Sequence, residues 1–374
     1  MKFTVESSVL TDSVQWVSRS LSTRPIMTAL LGIVIDVDND VTLSASDLET
    51  SAKSSFKADV AEKGRVLVPG RLLSEISRSL PNKPTTFVLD GNRVQVTSGS
   101  AKFALPTLPL NEYPNLPKLP TTSGMIASDL FATAVNQVAI AAGRDDSLPT
   151  LTGIHIDVNK NSITMAATDR YRLAVREIPW TPTDPELTTS ALLRARTLAD
   201  AARTIATTKE LSFAIAPTTA TERLIGFSTD SKSMTSRQLD GTFPPYKHLI
   251  PNESASSATI EVAALLEAVR RVALVTEKNT PLRFRCGPTL QLEAGVKEEA
   301  QATEEMAISY QGEPLEIAFN PNYLIDGLSA LGTTYVHMGF TASNRPAILA
   351  GKNSIKGEIE SSYRYLLMPM QYAS

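Results

Sequence analysis

Three histidines, His155, His248 and His337, and one cysteine, Cys286, are the only imidazoles and thiol in this chain. No two of them stand at a metal-ligand spacing. A lone thiol cannot close an internal disulfide, which fits a reducing compartment. The neighbours Asp145-Asp146 form a carboxylate pair on paper, but adjacent acids in a polar stretch are ordinarily solvated. There is no glycine-rich phosphate loop, no GxSxG elbow and no HExxH pair. With no nucleophile, base and charge stabiliser to assemble, the residues point away from an enzyme and call for no metal and no cofactor.

Binding chemistry remains. The segment Ala166-Ala167-Thr168-Asp169-Arg170-Tyr171-Arg172-Leu173-Ala174-Val175 lies where a strand must turn and restart. A hairpin turn fixed by an aspartate accounts for Asp169 and leaves Arg-Tyr-Arg-Leu unexplained. The segment Tyr365-Leu366-Leu367-Met368-Pro369-Met370-Gln371-Tyr372 reads either as a last edge strand with a loose tail or as a soft apolar surface. Pro369 stops the pairing there. Arg19, Arg71, Arg78, Arg194, Arg196, Arg203, Arg270 and Arg271 fall on or beside helical stretches poor in acids. Two readings stand: a solvated face, or a shared positive lining over a polyanion.

The elements that must position these residues recur three times. Helical spacing joins Leu10, Val14 and Val17, then Phe131, Val135 and Val138, then Leu265, Val269 and Val272. A strand-like run follows each, at 30–37, 151–158 and 282–292. A second short helix opens near Pro69-Gly70-Arg71, Arg194-Ala195-Arg196 and Asn320-Pro321-Asn322. The offset of about 120 to 130 residues is the size of a domain. Aspartate-rich and glycine-rich turns at 38–40 and 98–100 predict hairpins. The stretch 293–305, with five glutamates and one lysine, reads as a solvated acidic segment. Proline clusters at 113–124 and 243–252 mark the borders. The domains are therefore placed at 1–121, 122–251 and 252–374. Each is expected to hold two helices and about eight strands, an α+β arrangement.

The 374 residues are 42% hydrophobic and 20% charged, with a net charge of −3. That balance suits a globular protein and not a conventional DNA-binding one, which is usually basic. It does not argue against a protein that holds DNA by enclosing it. No run of about 18 apolar residues occurs, and Met1-Lys2-Phe3-Thr4-Val5-Glu6 lacks the apolar core of a secretory signal. A cytoplasmic location is expected.

Fragments in order along the whole chain resemble one family. They are Met1-Lys2-Phe3-Thr4-Val5, Arg24-Pro25, Ser46-Asp47-Leu48-Glu49, Val68-Pro69-Gly70-Arg71, Leu108-Pro109 before Tyr113-Pro114, Ala167-Thr168-Asp169-Arg170-Tyr171-Arg172-Leu173-Ala174, Phe243-Pro244-Pro245-Tyr246 and Met368-Pro369-Met370. The chain is similar to the bacterial sliding clamps, the beta subunits of DNA polymerase III.

That resemblance implies a head-to-tail homodimer whose six domains close a ring around double-stranded DNA, held topologically and without sequence preference. The clamp would confer processivity on the replicative polymerase. Other implied partners are a clamp-loader ATPase and repair polymerases, ligase and mismatch-repair proteins, in a bacterial, nucleoid-associated setting. Partners of this family insert a Gln-Leu-x-Leu-Phe-like peptide between the second and third domains. Carried onto this chain, the implied pocket is Leu151, Thr168, Arg170, Tyr171, Arg172, Leu173, Pro244, His248, Leu249, Asn344, Pro346, Leu366, Leu367, Met368, Pro369 and Met370. Some members have glycine and histidine where this chain has Arg170 and Tyr171, and the tail runs on to Ser374.

For DNA the family pattern points to Arg24 and Arg71, to Arg144 in the loop 144–150, and to Arg196 as the counterpart of Arg71. Pro149-Thr150 replaces the adjacent tyrosines of some relatives, so base stacking is not expected there. The implied ring interface pairs the edge 102–105 with the third domain near 270–274, with Phe103, Leu105 and Leu274 at its centre. Two other classes stay open: a hydrolase on a repeated α+β scaffold, and a peptide-binding scaffold of this fold that does not encircle DNA.

Overall fold

A computed structural model describes residues 1–371, apart from 23, 207, 217–219, 221, 252, 278–279 and 296–299. Among the described residues there are six α-helices: α1 (Ser7–Ser18), α2 (Gly70–Ser79), α3 (Ser128–Ala139), α4 (Ala195–Ile205), α5 (Val262–Val272) and α6 (Pro321–Ala330). The three expected domains hold two helices each. Each also holds nine strands among the described residues, one more than expected. Among the described residues no helix is long and apolar enough to cross a membrane.

The helices form where the apolar spacing requires them. Phe131, Val135 and Val138 of α3 are fully buried, as are Leu265, Val269 and Val272 of α5 at the same spacing. In α1, Leu10, Val14 and Val17 are joined inside by Trp16, whose indole N–H donates to the Lys53 carbonyl at 2.9 Å.

Every strand pairing is antiparallel, and backbone ladders run across the sequence borders. One nine-stranded sheet has the order Thr181–Pro182, Gly124–Ala127, Glu210–Ile215, Leu224–Ser228, Lys232–Arg237, Thr50–Phe56, Val41–Ser46, Gly32–Val37, Gly64–Pro69. Its centre joins the second domain to the first, with Met234 opposite Ala52. The other runs Thr188–Arg194, Gly153–Asn159, Ser162–Thr168, Arg172–Pro179, Tyr363–Leu367, Ala347–Lys352, Tyr335–Phe340, Ser256–Glu261, Ser309–Gln311. There Ala174 faces Tyr365, joining the second domain to the third. The chain accordingly forms two compact units, 1–129 with 180–187 and 200–238, and 130–179 with 188–199 and 239–374. Each unit owns one large sheet. The first also holds a five-stranded sheet ending on Ala101–Pro106, the second a four-stranded sheet ending on Gln301–Ala307.

Several local expectations change. The runs at 30–37 and 151–158 begin as 3-10 turns, Thr28–Leu31 and Pro149–Thr152, before the strands start. The run 282–292 is two strands, Leu282–Cys286 and Thr289–Gly295, because Gly287-Pro288 breaks it. The flanks of the acidic stretch 293–305 are paired strand rather than free chain, and Glu293 bonds Arg285 at 2.8 Å. Its middle, 296–299, and the tail 372–374 lie outside the described residues.

One turn is built twice from the same parts, about 120 residues apart. Asp47 Oδ1 accepts from the Glu49 and Thr50 amides at 3.1 and 2.7 Å. Asp169 Oδ1 accepts from the Tyr171 and Arg172 amides, both at 3.0 Å. The hydroxyl before each aspartate, Ser46 or Thr168, accepts from the amide after it, at 3.1 Å in both turns. The residue so held, Leu48 or Arg170, has φ of +80°. A left-handed backbone costs a side-chain-bearing residue about 1–2 kcal/mol, which the paired amides must offset. Leu48→Gly removes that steric cost against a smaller entropic loss, so the thermal midpoint is expected to rise or hold, by at most about 1 kcal/mol of stability. A clear fall in a melting scan would contradict the strain at Leu48.

Candidate functional site

The second turn leads into the strand Arg172–Pro179, whose side chains alternate between two environments. Leu173 faces Leu366 across the ladder. Both belong to a buried cluster with Ala166, Val175, Leu192, Phe243 and Tyr246, packed by Leu239, Ile250 and Ile348. Arg172, one residue earlier, faces the opposite way. It is 6% exposed, with Nε 2.9 Å from Asp169 and a terminal nitrogen 2.6 Å from Asp326. Its guanidinium also lies 4.3 Å over the Tyr323 ring. A buried cation is tolerable only with such partners.

Helix α6 delivers two of them. Asn320 caps it, its side chain accepting from the Asn322 amide at 2.9 Å, and Pro321 presets the first turn. Tyr323 and Asp326, three apart, then share one face. The Tyr365 hydroxyl donates to the Tyr323 carbonyl at 2.8 Å. A Cβ on Gly327 would stand 2.5 Å from the Tyr365 ring, so only glycine allows this approach.

Beside this arrangement opens a cavity of about 540 Å³. Of the expected pocket residues, Leu151, Arg170, Tyr171 and Arg172 line it. Ala142, Gly143, Arg144, Asp145, Leu148, Asp169, Asn322, Tyr323 and Asp326 complete it. Tyr171 is 56% exposed and stacks on Tyr323 with ring centres 6.4 Å apart. The remaining expected residues have other stations. Thr168 holds the turn, donating to the Arg172 carbonyl at 2.6 Å. Leu173, Leu366 and Leu367 are buried supports. Pro244, His248, Leu249 and Met368 are exposed, and Pro369 and Met370 half-buried. The Met368 amide donates to the Tyr171 carbonyl at 2.9 Å, which ties the tail to the turn. Asn344 is exposed and Pro346 half-buried, outside the cavity lining. The expected pocket lacked Ala142, Gly143, Asp145, Leu148 and Asp169, had Arg144 at DNA instead, and lacked Asn322, Tyr323 and Asp326 of α6. The signal for those of α6 was the Asn-Pro cap, which predicts the helix and, three residues on, its inward face.

The loop 243–249 covers one histidine. His155 stacks on Phe243 at 5.2 Å, and burial lowers its pKa, with Lys247 adding to the effect and Asp157 opposing it. Burial raises the Cys286 thiol to about 12, so it is no nucleophile at neutral pH. Asp145 accepts from the Ser147 amide at 2.9 Å and Asp146 pairs with Arg194 at 2.9 Å, so the two acids do not act together. Among the described residues no cluster of three or more His, Cys, Asp or Glu could hold a metal.

The arginines divide. Arg19 bonds the Asp200 carbonyl, Arg78 bonds Gln15, Arg194 bonds Asp146, Arg203 pairs with Asp200 at 3.4 Å and Arg271 pairs with Glu304 and Glu267. Arg24, Arg71, Arg144 and Arg196 are exposed and make no ion pair among the described residues. At the expected interface, Leu274 is 84% exposed and Phe103 half-buried. Leu105 departs from the expectation in its side chain, which is 1% exposed and faces inward opposite Val94, so it supports the edge from within.

The chain is similar to known proteins along its length. Models of the DNA polymerase III beta subunit match in order: the N-terminal domain at residues 1–117, the central domain at 125–245 and the C-terminal domain at 247–371. A beta sliding clamp of Streptomyces coelicolor is 46% identical over 374 residues, covering 99% of both chains. The beta sliding clamp homolog GriR of Streptomyces muensis is 42% identical over all of both. A crystal structure of a sliding clamp from Pseudomonas aeruginosa bound to griselimycin covers 100% of both chains, with a TM-score of 0.90 at 25% identity.

Two outcomes test the site's construction. Arg172→Met leaves the half-buried Asp169 beside no cation and should cost about 3 kcal/mol in urea unfolding of the second unit. Arg170→Met, on the exposed turn, should stay within about 0.5 kcal/mol. The second outcome concerns pH. Because burial disfavours protonated His155 in the folded chain, protons favour the unfolded chain once the pH falls below its ordinary pKa of 6.5. Stability should begin to fall as the pH drops below about 6.5. In His155→Gln that drop should be smaller; an equal drop would mean that other groups carry it.

Proposed function

The chain belongs to the DNA polymerase III beta subunit family and carries its sliding-clamp function; we propose that it works as a closed homodimer that traps duplex DNA and tethers the replicative polymerase to it. The domain-by-domain family match along the full length carries this reading. The domain borders proposed are 1–121, 122–251 and 252–374. Two of the sheet edges support the head-to-tail dimer. Ala101–Pro106, with Phe103, offers one unpaired ladder, and Gln301–Ala307 offers another. An exposed edge invites pairing with a second chain, and a heterologous contact of this kind closes a ring when the rotation allows. Leu274 lies in the 3-10 turn Ala273–Val275 that follows α5, and Arg271 of that helix pairs with Glu304 on the edge strand, which supports a common interface.

Arg24, Arg71 and Arg196 would face the phosphates, free of competing carboxylates. Arg144 lines the cavity, so its share in DNA contact is secondary. Few phosphate contacts suit sliding, and an acidic protein can retain DNA by enclosure. The partner peptide would enter between the exposed Leu249 and Met368 and the Tyr171–Tyr323 cavity, with leucines and an aromatic ring filling apolar positions. Polymerases, repair proteins and a loader ATPase would compete for it, in the cytoplasm at the nucleoid. The clamp itself performs no chemistry.

Loaded onto nicked circular DNA, the protein should be retained at high salt and lost when the circle is cut; retention unchanged by linearisation would argue for gripping instead. Arg24→Ala with Arg71→Ala should reduce loading severalfold. Sedimentation should give twice the 40.3 kDa chain mass, and Leu274→Asp should shift it toward one chain; an unchanged dimer would remove Leu274 from the interface.

A further inference from the structure

The large sheet of the second unit has an apolar face and, over its last strands, a polar one. Along Ser256–Glu261, Ala258 and Ile260 are buried, while the alternate residues Ser257 and Thr259 are half-buried. Thr259 stands opposite His337 on one side and Ser309 on the other, and Ser257 stands opposite Gln311. Together with Lys352 and the loop after it, these side chains line a cavity of about 400 Å³. Neither peptide docking nor DNA retention uses it.

The lining is rich in donors that lack a partner. Among the described residues, the side chains of Ser257, Thr259, Ser309, Gln311 and His337 make no hydrogen bond. The Lys352 ammonium donates one N–H to the Ile355 carbonyl at 2.7 Å and makes no ion pair among the described residues, so its other protons are free. Burial lowers the pKa of His337, and Lys352 adds to the effect. The one carboxylate in the lining, Glu358, is exposed and therefore solvated at the mouth. On the same loop Ile355 and Ile359 are 50% and 46% exposed.

A carboxylate ligand would bring two oxygens to this set of hydroxyls, carboxamide, imidazole and ammonium. A phosphate monoester brings three strong acceptor oxygens and nearly two negative charges, which matches the donors better. The cavity also exceeds a bare phosphate, and the isoleucines offer apolar surface to whatever carries it. We infer that this cavity binds a phosphate monoester, with Lys352 and His337 on the phosphoryl oxygens, Ser257, Thr259 and Ser309 completing their hydrogen bonds, and Ile355 and Ile359 against the apolar body.

Imidazole NMR tests it, because the chain holds only three histidines and His337→Gln identifies the signal. Phenyl phosphate should move the His337 signal saturably, with a dissociation constant of about 1 mM. It should also raise the His337 pKa by about one pH unit, since a dianion then faces the ring beside Lys352, with Glu358 at the mouth. Inorganic phosphate should bind severalfold more weakly, and the exposed His248 should not follow either anion. Thr259→Val with Ser309→Ala should weaken phenyl phosphate about tenfold while sparing the Lys352–Ile355 contact. Three results would each overturn the inference: a His337 signal that does not saturate by about 20 mM, an equal response to sodium chloride at matched ionic strength, or unchanged binding in the double hydroxyl variant.

Discussion

The second unit depends on keeping one cation out of water. Arg172 must sit on the first residue of its strand, since its amide closes the Asp169 turn, and that position points its side chain inward. Burial of a guanidinium costs several kcal/mol unless its donors are met. Asp169 comes free with the turn, but Asp326 and Tyr323 come from α6, more than 150 residues later. The requirement therefore fixes where α6 can lie. That in turn requires Gly327 against Tyr365, and the strand Tyr363–Leu367 paired to the strand of Arg172. One buried charge thus links the turn, the sheet that crosses the domain border and the helix that walls the cavity.

Much of this was legible. Spacing at Leu10, Phe131 and Leu265 gave three helices, and the Asn320-Pro321 pair placed a fourth. The turn at Asp169 was readable because an aspartate before a restarting strand has few other uses. What could not be read was which side chains share a cavity. Leu173 and Arg172 are neighbours in sequence and lie on opposite faces, one a core residue and the other the centre of an ion cluster. A list by sequence puts them in one pocket; the period of two in a strand separates them. Leu105 departs for the same reason. Its edge strand is exposed, but alternate residues of an edge strand still face inward.

The division into two compact units also follows from backbone bonding. A sequence repeat sees domains because each helix pair and its strands recur. Contacts see sheets, because the ladders at Met234–Ala52 and Ala174–Tyr365 continue through the sequence borders without a gap. A border crossed by a continuous ladder resists hinge bending more than a loop does, since bending would break several backbone bonds at once. The proline segments at 113–124 and 243–251 are therefore covers rather than joints: Tyr113 packs against one buried cluster, and Phe243 and Tyr246 are buried in another.

Two copies of one turn show how a site arises on a repeated fold. Asp47 and Asp169 bind the same two amides, and Ser46 and Thr168 bind the same third one. This framework is indifferent to the side chain it holds in the left-handed position, because that side chain projects into solvent. In the first copy it is Leu48, followed by Glu49-Thr50. In the second it is Arg170, followed by Tyr171-Arg172. The backbone chemistry is satisfied equally in both, so the turn constrains the aspartate and the hydroxyl and leaves the next three positions free to diverge. Only in the second copy does the last of those positions carry a charge that needs a distant helix. A cavity with an aromatic floor and a basic rim follows from that one difference, which is why the fold is repeated along the chain and the site is not.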